Sequence, residues 1–316
     1  MPNLTTAEGR RRRVDGGVAG TPATVRQAGA VPDDRPLAWT VRRVRETGST
    51  NADLVAEAGR GAAEGRVLVA DSQTAGRGRL GRHWVTPPGS ALAVSALLRP
   101  PAAARDRLGW LPLLSGLAVL DAVGQLAPGL VLALKWPNDV LVHDPAGVAG
   151  KVSGVLVQAA PHHGQVAGAD PAVVVGIGVN VATPADQLPA GAGATSLLAA
   201  GATVDRDALL DDLLGQLARR YRAWVAGVDP VADYRARCST LRREVVVDRP
   251  VGVLTGRAVD VDEAGRLLVQ PPGGAPVAVD AGDVTHLRTA ADPSRDGDDR
   301  VRGARSGLSA GPAGRS

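Results

Sequence analysis

Gly76-Arg77-Gly78-Arg79-Leu80-Gly81-Arg82-His83-Trp84 packs three glycines, three arginines and a tryptophan into nine residues. Glycine lets a backbone approach a ligand closely, free amides can face an anion, and guanidinium forks neutralise phosphate or carboxylate. The segment lacks the Gly-Lys-Ser/Thr ending of a P-loop and does not follow the dinucleotide fingerprint. It sits in a turn-rich stretch over 71–90 that also holds Pro87, Pro88 and Gly89. A loop of that length inside a domain is either functional or disordered. A solvated Arg/Gly-rich loop is the plain alternative.

Working outward, the rare residues fall into short motifs. Of 36 Lys and Arg only Lys135 and Lys151 are lysines, and apart from Asn3 the asparagines are Asn51, Asn138 and Asn180. They occupy Glu46-Thr47-Gly48-Ser49-Thr50-Asn51, Lys135-Trp136-Pro137-Asn138-Asp139, Gly150-Lys151-Val152-Ser153-Gly154 and Gly176-Ile177-Gly178-Val179-Asn180. Such clustering points to chemistry rather than packing. The first motif is a helix start whose amides and hydroxyls can bind an anion or carbonyl, or simply cap the helix. The second ends a strand at an X-Pro turn. The third opens an apolar strand with a lysine, where a snorkelling side chain is the alternative. In the fourth, glycines inside a strand mark close approach of something to the backbone.

The 316 residues set a prior of about two domains plus tails. The apolar stretch over 108–123 is interrupted and too short to span a bilayer, and Arg10 to Arg13 do not lead into a signal peptide. A single cysteine, Cys238, excludes an internal disulfide and reads as a small buried hydrophobe, so a cytoplasmic location is expected. The net charge of +4 divides as +5 over 1–45, −2 over 46–288 and +1 over 289–316. The basicity therefore lies in tails without apolar period, which are expected to be disordered. Strands are predicted over 37–45, 66–70, 91–99, 131–136, 152–158 and 173–181, and helices over 51–58, 108–126 and 205–226. After residue 240, short β-segments over 244–247, 251–260, 267–270, 277–279 and 284–287 suggest a small barrel. His162 and His163 carry no third ligand nearby in sequence, which disfavours a metal site there.

Together the five motifs resemble the catalytic domain of the biotin protein ligases, with matching order over roughly 40–240 and a β-rich end similar to their SH3-like C-terminal domain. The resemblance implies an α+β fold, in which a mixed, largely antiparallel sheet packs with helices and precedes the small barrel. The implied domains are a disordered extension over 1–36, a catalytic domain over 37–240, an SH3-like domain over 241–289 and a disordered tail over 290–316. It implies that Ser49, Thr50, Asn51, Gln73, Gly76, Arg77, Gly78, Arg79, Lys151 and Gly154 bind biotin. It further implies that Arg77, Arg79, Arg82, Trp84, Lys135, Asn138, Asp139, Lys151 and Asn180 bind ATP. Lys151, Arg77 and Arg79 would be catalytic. ATP and Mg²⁺ would be the cofactors, with metal ligands unassigned, and the partner a biotin carrier domain of an acyl-CoA carboxylase. No specific DNA and no membrane are implied, and a homodimer is left open. Residues 1–36 show no pair of apolar-faced helices like the DNA-binding domain of many members. Gln158 stands where the family often has an acidic residue, and Leu80 where a basic one is sometimes found.

The chemistry follows independently of the family. Attack of a carboxylate on the α-phosphate of ATP brings two anions together, so a site needs cations and oriented N–H donors rather than a nucleophile. The motifs supply both. A lipoate or octanoyl transfer protein is the nearest enzyme alternative, but its Arg-Arg…Gly-Gly-Gly segment is absent. A nucleic-acid-binding role is disfavoured by the −2 charge of 46–288 and by the absence of Phe. A protein that holds biotin without activating it is the third reading.

Overall fold

The computed structural model describes residues 37–84, 88–144, 147–160, 171–188, 193–280 and 282–286. The expected tails and the His162-His163 pair lie outside the described residues.

The chain first builds a seven-stranded mixed sheet. Strand β1 (Thr40–Thr47) leads into helix α1 (Thr50–Gly59), followed by β2 (Arg66–Gln73), β3 (Ala91–Leu98), helix α2 (Trp110–Leu126), β4 (Val131–Lys135), β5 (Asp139–His143), β6 (Ala149–Ala159) and β7 (Val173–Asn180). Helices α3 (Arg206–Val225) and α4 (Val231–Arg237) precede the second sheet, of β8 (Glu244–Arg249), β9 (Gly252–Val261), β10 (Leu267–Gln270), β11 (Val277–Val279) and β12 (Asp283–His286). The first sheet runs β1-β2-β3-β7-β6-β5-β4 and the second β11-β10-β9-β8-β12. Among the described strands of this sheet only β1 and β2, joined through α1, pair in parallel.

Local chemistry accounts for the helix starts. Ser49 caps α1 by accepting from the Ala52 amide, and the Asp205 carboxylate caps α3 through the Asp207 and Ala208 amides. Leu209, Leu210, Leu213, Leu214 and Leu217 of α3 are buried, as its periodicity predicts.

Several elements differ from expectation. Strand β2 runs on through Asp71 to Gln73, because pairing with β1 continues to Thr47↔Gln73. Strand β5 was not expected, since only Val140, Leu141 and Val142 are apolar and the motif read as a turn. The β4–β5 hairpin supplies its pairing from Lys135↔Asp139 outward. Helix α4 is short and largely polar, and Val231 and Tyr234 bury it at the junction of the sheets. All eight residues of β3 are buried, so its alternation separates two packed layers rather than core from solvent. Leu92, Val94, Ala96 and Leu98 join the main core, while Leu97 faces the cluster of Leu54, Ala58, Leu68 and Val174 beneath α1.

The second sheet shares that main core through Val245, Val247, Ala258, Val261, Leu267 and Val269. Two buried tryptophans fasten it. Trp110 Nε1 donates to Glu263 O at 2.8 Å and Trp136 Nε1 to Gly265 O at 3.0 Å. A Cβ on Gly109 would meet Ala264 O at 2.6 Å, so this contact requires bare backbone.

Candidate active site

The α1 side of the first sheet is floored by glycines. A Cβ on Gly176 would come within 2.0 Å of Asn51 Oδ1, and one on Gly178 within 2.4 Å of the Trp84 indole. The strand glycines read in the sequence thus admit the protein's own Asn51 and Trp84 to the backbone. Trp84 lies across Gly178, and its ring edge reaches Gly154, where a Cβ would sit 3.3 Å away.

At the start of α1 the polar side chains bind one another. Gln73 Oε1 accepts the Thr50 amide at 2.9 Å and lies 3.1 Å from Thr50 Oγ1. Ser95 Oγ lies 2.7 Å from Thr50 Oγ1 and 2.6 Å from Asn51 Oδ1, so its one proton serves one of them at a time. Asn51 Nδ2 donates to Leu156 O at 3.1 Å and to Gln158 Oε1 at 2.8 Å.

Towards β6 and β5 the groups are charged. The β5–β6 register shifts so that Val140 opposes Ser153 and Leu141 opposes Lys151, which leaves Val152 as an extra residue. Unbroken alternation would turn Lys151 to the side of buried Ser153 and Val155. The bulge instead sends Val152 into the core and Lys151 to the glycine side. Lys151 Nζ then lies 2.6 Å from Asp139 Oδ1, an ion pair rather than an aligned hydrogen bond, and 5.8 Å from the Trp84 ring centroid. Its main chain is clamped by the 193–195 segment, donating to Gly193 O at 2.7 Å and accepting from the Thr195 amide at 2.9 Å. Asn180 Nδ2 holds the same segment through Thr195 O at 2.9 Å.

The glycine–arginine loop closes as a small hairpin. Trp84 N donates to Gly76 O at 2.9 Å and Gly78 N to Arg82 O at 2.7 Å. A Cβ on Gly76 would strike Trp84 O at 2.4 Å. Leu80, at φ 56°, occupies the tip and is 67% exposed, which explains how the position accepts an apolar residue. Arg79 reaches Asn138 Oδ1 at 3.3 Å, while Asn138 Nδ2 donates to Val155 O at 3.0 Å. The loop is thereby tied to the β4–β5 turn, whose Trp136–Pro137 bond is cis.

These parts enclose a cavity of about 610 Å³, within the roughly 300–1,000 Å³ of small-molecule sites. Ser49, Thr50, Asn51, Gln73, Arg77, Gly78, Arg79, Arg82, Trp84, Lys135, Asn138, Asp139, Lys151, Gly154 and Asn180 all line it. Gly76 does not, and serves the hairpin beneath. Its described cations are Arg77, Arg79, Arg82, Lys135, Lys151 and Arg243, against the single carboxylate of Asp139.

A model of the biotin/lipoate A/B protein ligase family matches residues 47–180, and one of the biotin protein ligase C-terminal domain matches 240–287. The biotin–acetyl-CoA-carboxylase ligase of Mycobacterium tuberculosis is 42% identical over 251 residues, spanning 78% of this chain and 88% of that protein. The chain belongs to the biotin protein ligases. The corresponding ligase of Paracoccus denitrificans is 35% identical over 242 residues, spanning 72% of this chain and 93% of its own. The solved biotin protein ligase of Aquifex aeolicus in complex with biotin and ATP superposes with a TM-score of 0.64 at 28% identity, covering 79% of this chain and 99% of that one.

Sequence reasoning missed several groups of this ligase site. Ser95 carried a signal, being the one polar residue in the run 91–98. Arg243, Gly282, Val284 and Thr285 bring the second sheet to the cavity wall. They carried none, because only the tertiary contact between the sheets puts them there. Gln158, noted as a departure from the family, is the partner of Asn51.

Proposed function

We propose that this ligase joins biotin to ATP as biotinyl-5′-AMP and transfers biotin to one lysine of an acyl-CoA carboxylase's carrier domain. The observation that carries the reading is the polarity of the cavity. Hydrogen-bonding groups without charge line its β2–β3 end, and six cations against one carboxylate line the rest. A biotin ring system fits the first and a triphosphate the second. In the first step a biotin carboxylate oxygen attacks the α-phosphorus and pyrophosphate leaves. Lys151, Arg77 and Arg79 neutralise the charge that gathers there. In the second step the neutral amine of the acceptor attacks the acyl carbon, the acyl–phosphate bond breaks, AMP departs and the amine proton goes to solvent. No enzyme nucleophile is required.

Ser49, Thr50, Asn51, Gln73, Gly78 and Gly154 are proposed on the biotin side, and Arg82, Trp84, Lys135, Asn138, Asp139 and Asn180 on the nucleotide side. Among the described residues no three of His, Cys, Asp and Glu group to hold a metal. Mg²⁺ keeps several waters and binds through one or two carboxylates plus substrate phosphates, so an ion arriving on ATP would fit here, and Asp139, the carboxylate beside Lys151, would be the group able to hold it. Such an ion supplies neutralisation of the phosphates. The domain limits 37–240 and 241–289 are likewise proposed, supported by the start of the second sheet at Glu244. A cytoplasmic location is proposed too. No described helix is long and apolar enough to cross a membrane.

The test is incubation with biotin, ATP, Mg²⁺ and a biotin carrier domain, with transfer read by intact mass. Addition of one biotinyl group that requires all components is expected. Absence of pyrophosphate release from biotin and ATP would refute the reading.

A further inference from the structure

Asn51 sits on bare Gly176, at the centre of a row across the sheet in which Ser95 pairs with Gly176 and Gly176 with Leu156. Its amide is confined from both sides. Both Nδ2 hydrogens are committed, one to Leu156 O and one to Gln158 Oε1, and Oδ1 faces Ser95 Oγ at 2.6 Å. An amide has two donors and an acceptor with two lone pairs, so Asn51 offers the cavity acceptor capacity alone. Gln73 offers the opposite. Its Oε1 is taken by the Thr50 amide, which leaves Nε2 as a donor. The space a Cβ would fill at Gly176 is taken by Asn51 Oδ1, so the amide packs directly on the strand backbone.

We infer that Ser95 and Gln158, neither of which lines the cavity, are positioning residues that fix the Asn51 amide with its oxygen towards the substrate. The pair thereby selects an acyl substrate whose head carries an N–H beside a carbonyl. The inference rests on the biotin reading of the cavity. Biotin's ureido ring has such an N–H and carbonyl, whereas the dithiolane ring of lipoic acid has neither. With the amide inverted, Asn51 would meet the ureido N–H with its own N–H, and the preference would be lost. The same geometry accounts for the glutamine at 158. What Asn51 needs there is an acceptor, and a carboxylate or a carboxamide oxygen provides one.

The experiment compares Ser95→Ala, Gln158→Lys and Gln158→Glu with the wild type. Pyrophosphate release is measured while biotin and ATP are varied in turn, with lipoic acid as competing substrate and melting temperature as a control. Gln158→Lys replaces the acceptor with a donor of similar length. It is expected to raise KM for biotin by about tenfold or more, the scale of one buried hydrogen bond turned unfavourable. Its kcat at saturating biotin and its KM for ATP should stay near wild type. Ser95→Ala should shift the same constant in the same direction, and both variants should lose preference for biotin over lipoic acid. Gln158→Glu should restore the wild-type KM. A purely structural role would instead lower melting temperature and kcat together and would leave Gln158→Glu no better than Gln158→Lys. If the wild type turns over and KM for biotin is unmoved in both Ser95→Ala and Gln158→Lys, the inference fails alone. If the wild type releases no pyrophosphate, the functional reading fails and the inference with it.

Discussion

Beneath the start of α1 the cavity meets side chains already hydrogen-bonded to one another, whereas over the β4–β5 hairpin, β6, the 76–84 loop and the second-sheet wall it meets six cations and one carboxylate. The first region is anchored in a capped helix and three central strands, and its geometry is set before any ligand arrives. The second is carried by a loop, a hairpin turn, a bulged strand end and the approach to the second sheet, and its lining is mostly cationic. Recognition of a neutral ring needs fixed directions, because a hydrogen bond weakens steeply with angle. Recognition of a triphosphate needs potential, which tolerates looser placement but responds to salt.

Replacing Lys151 with alanine strikes the charged region hardest. The rate of adenylate formation should fall by on the order of 10²–10³, read as pyrophosphate release, with the melting temperature retained. A rate within tenfold of wild type would show that the arginines suffice and that the lysine is not special among the six.

Gly176→Ala and Gly178→Ala form a matched pair for the two regions. The first displaces Asn51 and the second the Trp84 indole. Gly176→Ala should raise KM for biotin, and Gly178→Ala should raise KM for ATP, each by about tenfold or ~1.4 kcal/mol. Equal effects of both variants on both substrates would mean the two regions are not separable.

Salt should divide them more gently. The Debye length shrinks from about 10 Å at 0.1 M to about 3 Å at 1 M. Affinity for ATP should therefore fall over that range by a larger factor than affinity for biotin, as titration calorimetry can measure.

The smallest effect lies at the junction between the sheets. Burial pushes the Cys238 thiol up and the Tyr234 hydroxyl well above its ordinary range. Both folded-state values are raised, so the unfolded chain binds fewer protons once pH passes the ordinary thiol range near about 8.5. Stability is then full below that pH and declines above it. Cys238→Ala should make the decline in melting temperature between about pH 8.5 and 9.5 shallower, whatever it does to the absolute value. An unchanged slope would mean the thiol does not contribute.

Composition and spacing determined a good deal by themselves. Two lysines and three asparagines in glycine-punctuated motifs named the lining of the cavity, because rare residue types kept at particular places are easy to see against an arginine-rich background. Capping residues marked α1, and periodicity found α2, α3 and most strands, since burial on one face leaves a repeat in the chain. Strand β5 left no such repeat, as its pairing comes from a hairpin with only three apolar residues. The strand glycines announced close approach to the backbone without naming what approaches. Only the tertiary structure revealed that Asn51 and Trp84 fill those spaces, that Val152 is the extra residue turning Lys151 towards the cavity, and that Ser95 and Gln158 stand behind Asn51. Arg243 and Thr285 reach the cavity wall because two buried tryptophans fasten one sheet to the other. A side chain's type and neighbours are written in the chain. Its direction, and whichever group from a distant segment meets it, follows from strand register and packing between layers, which no local stretch encodes.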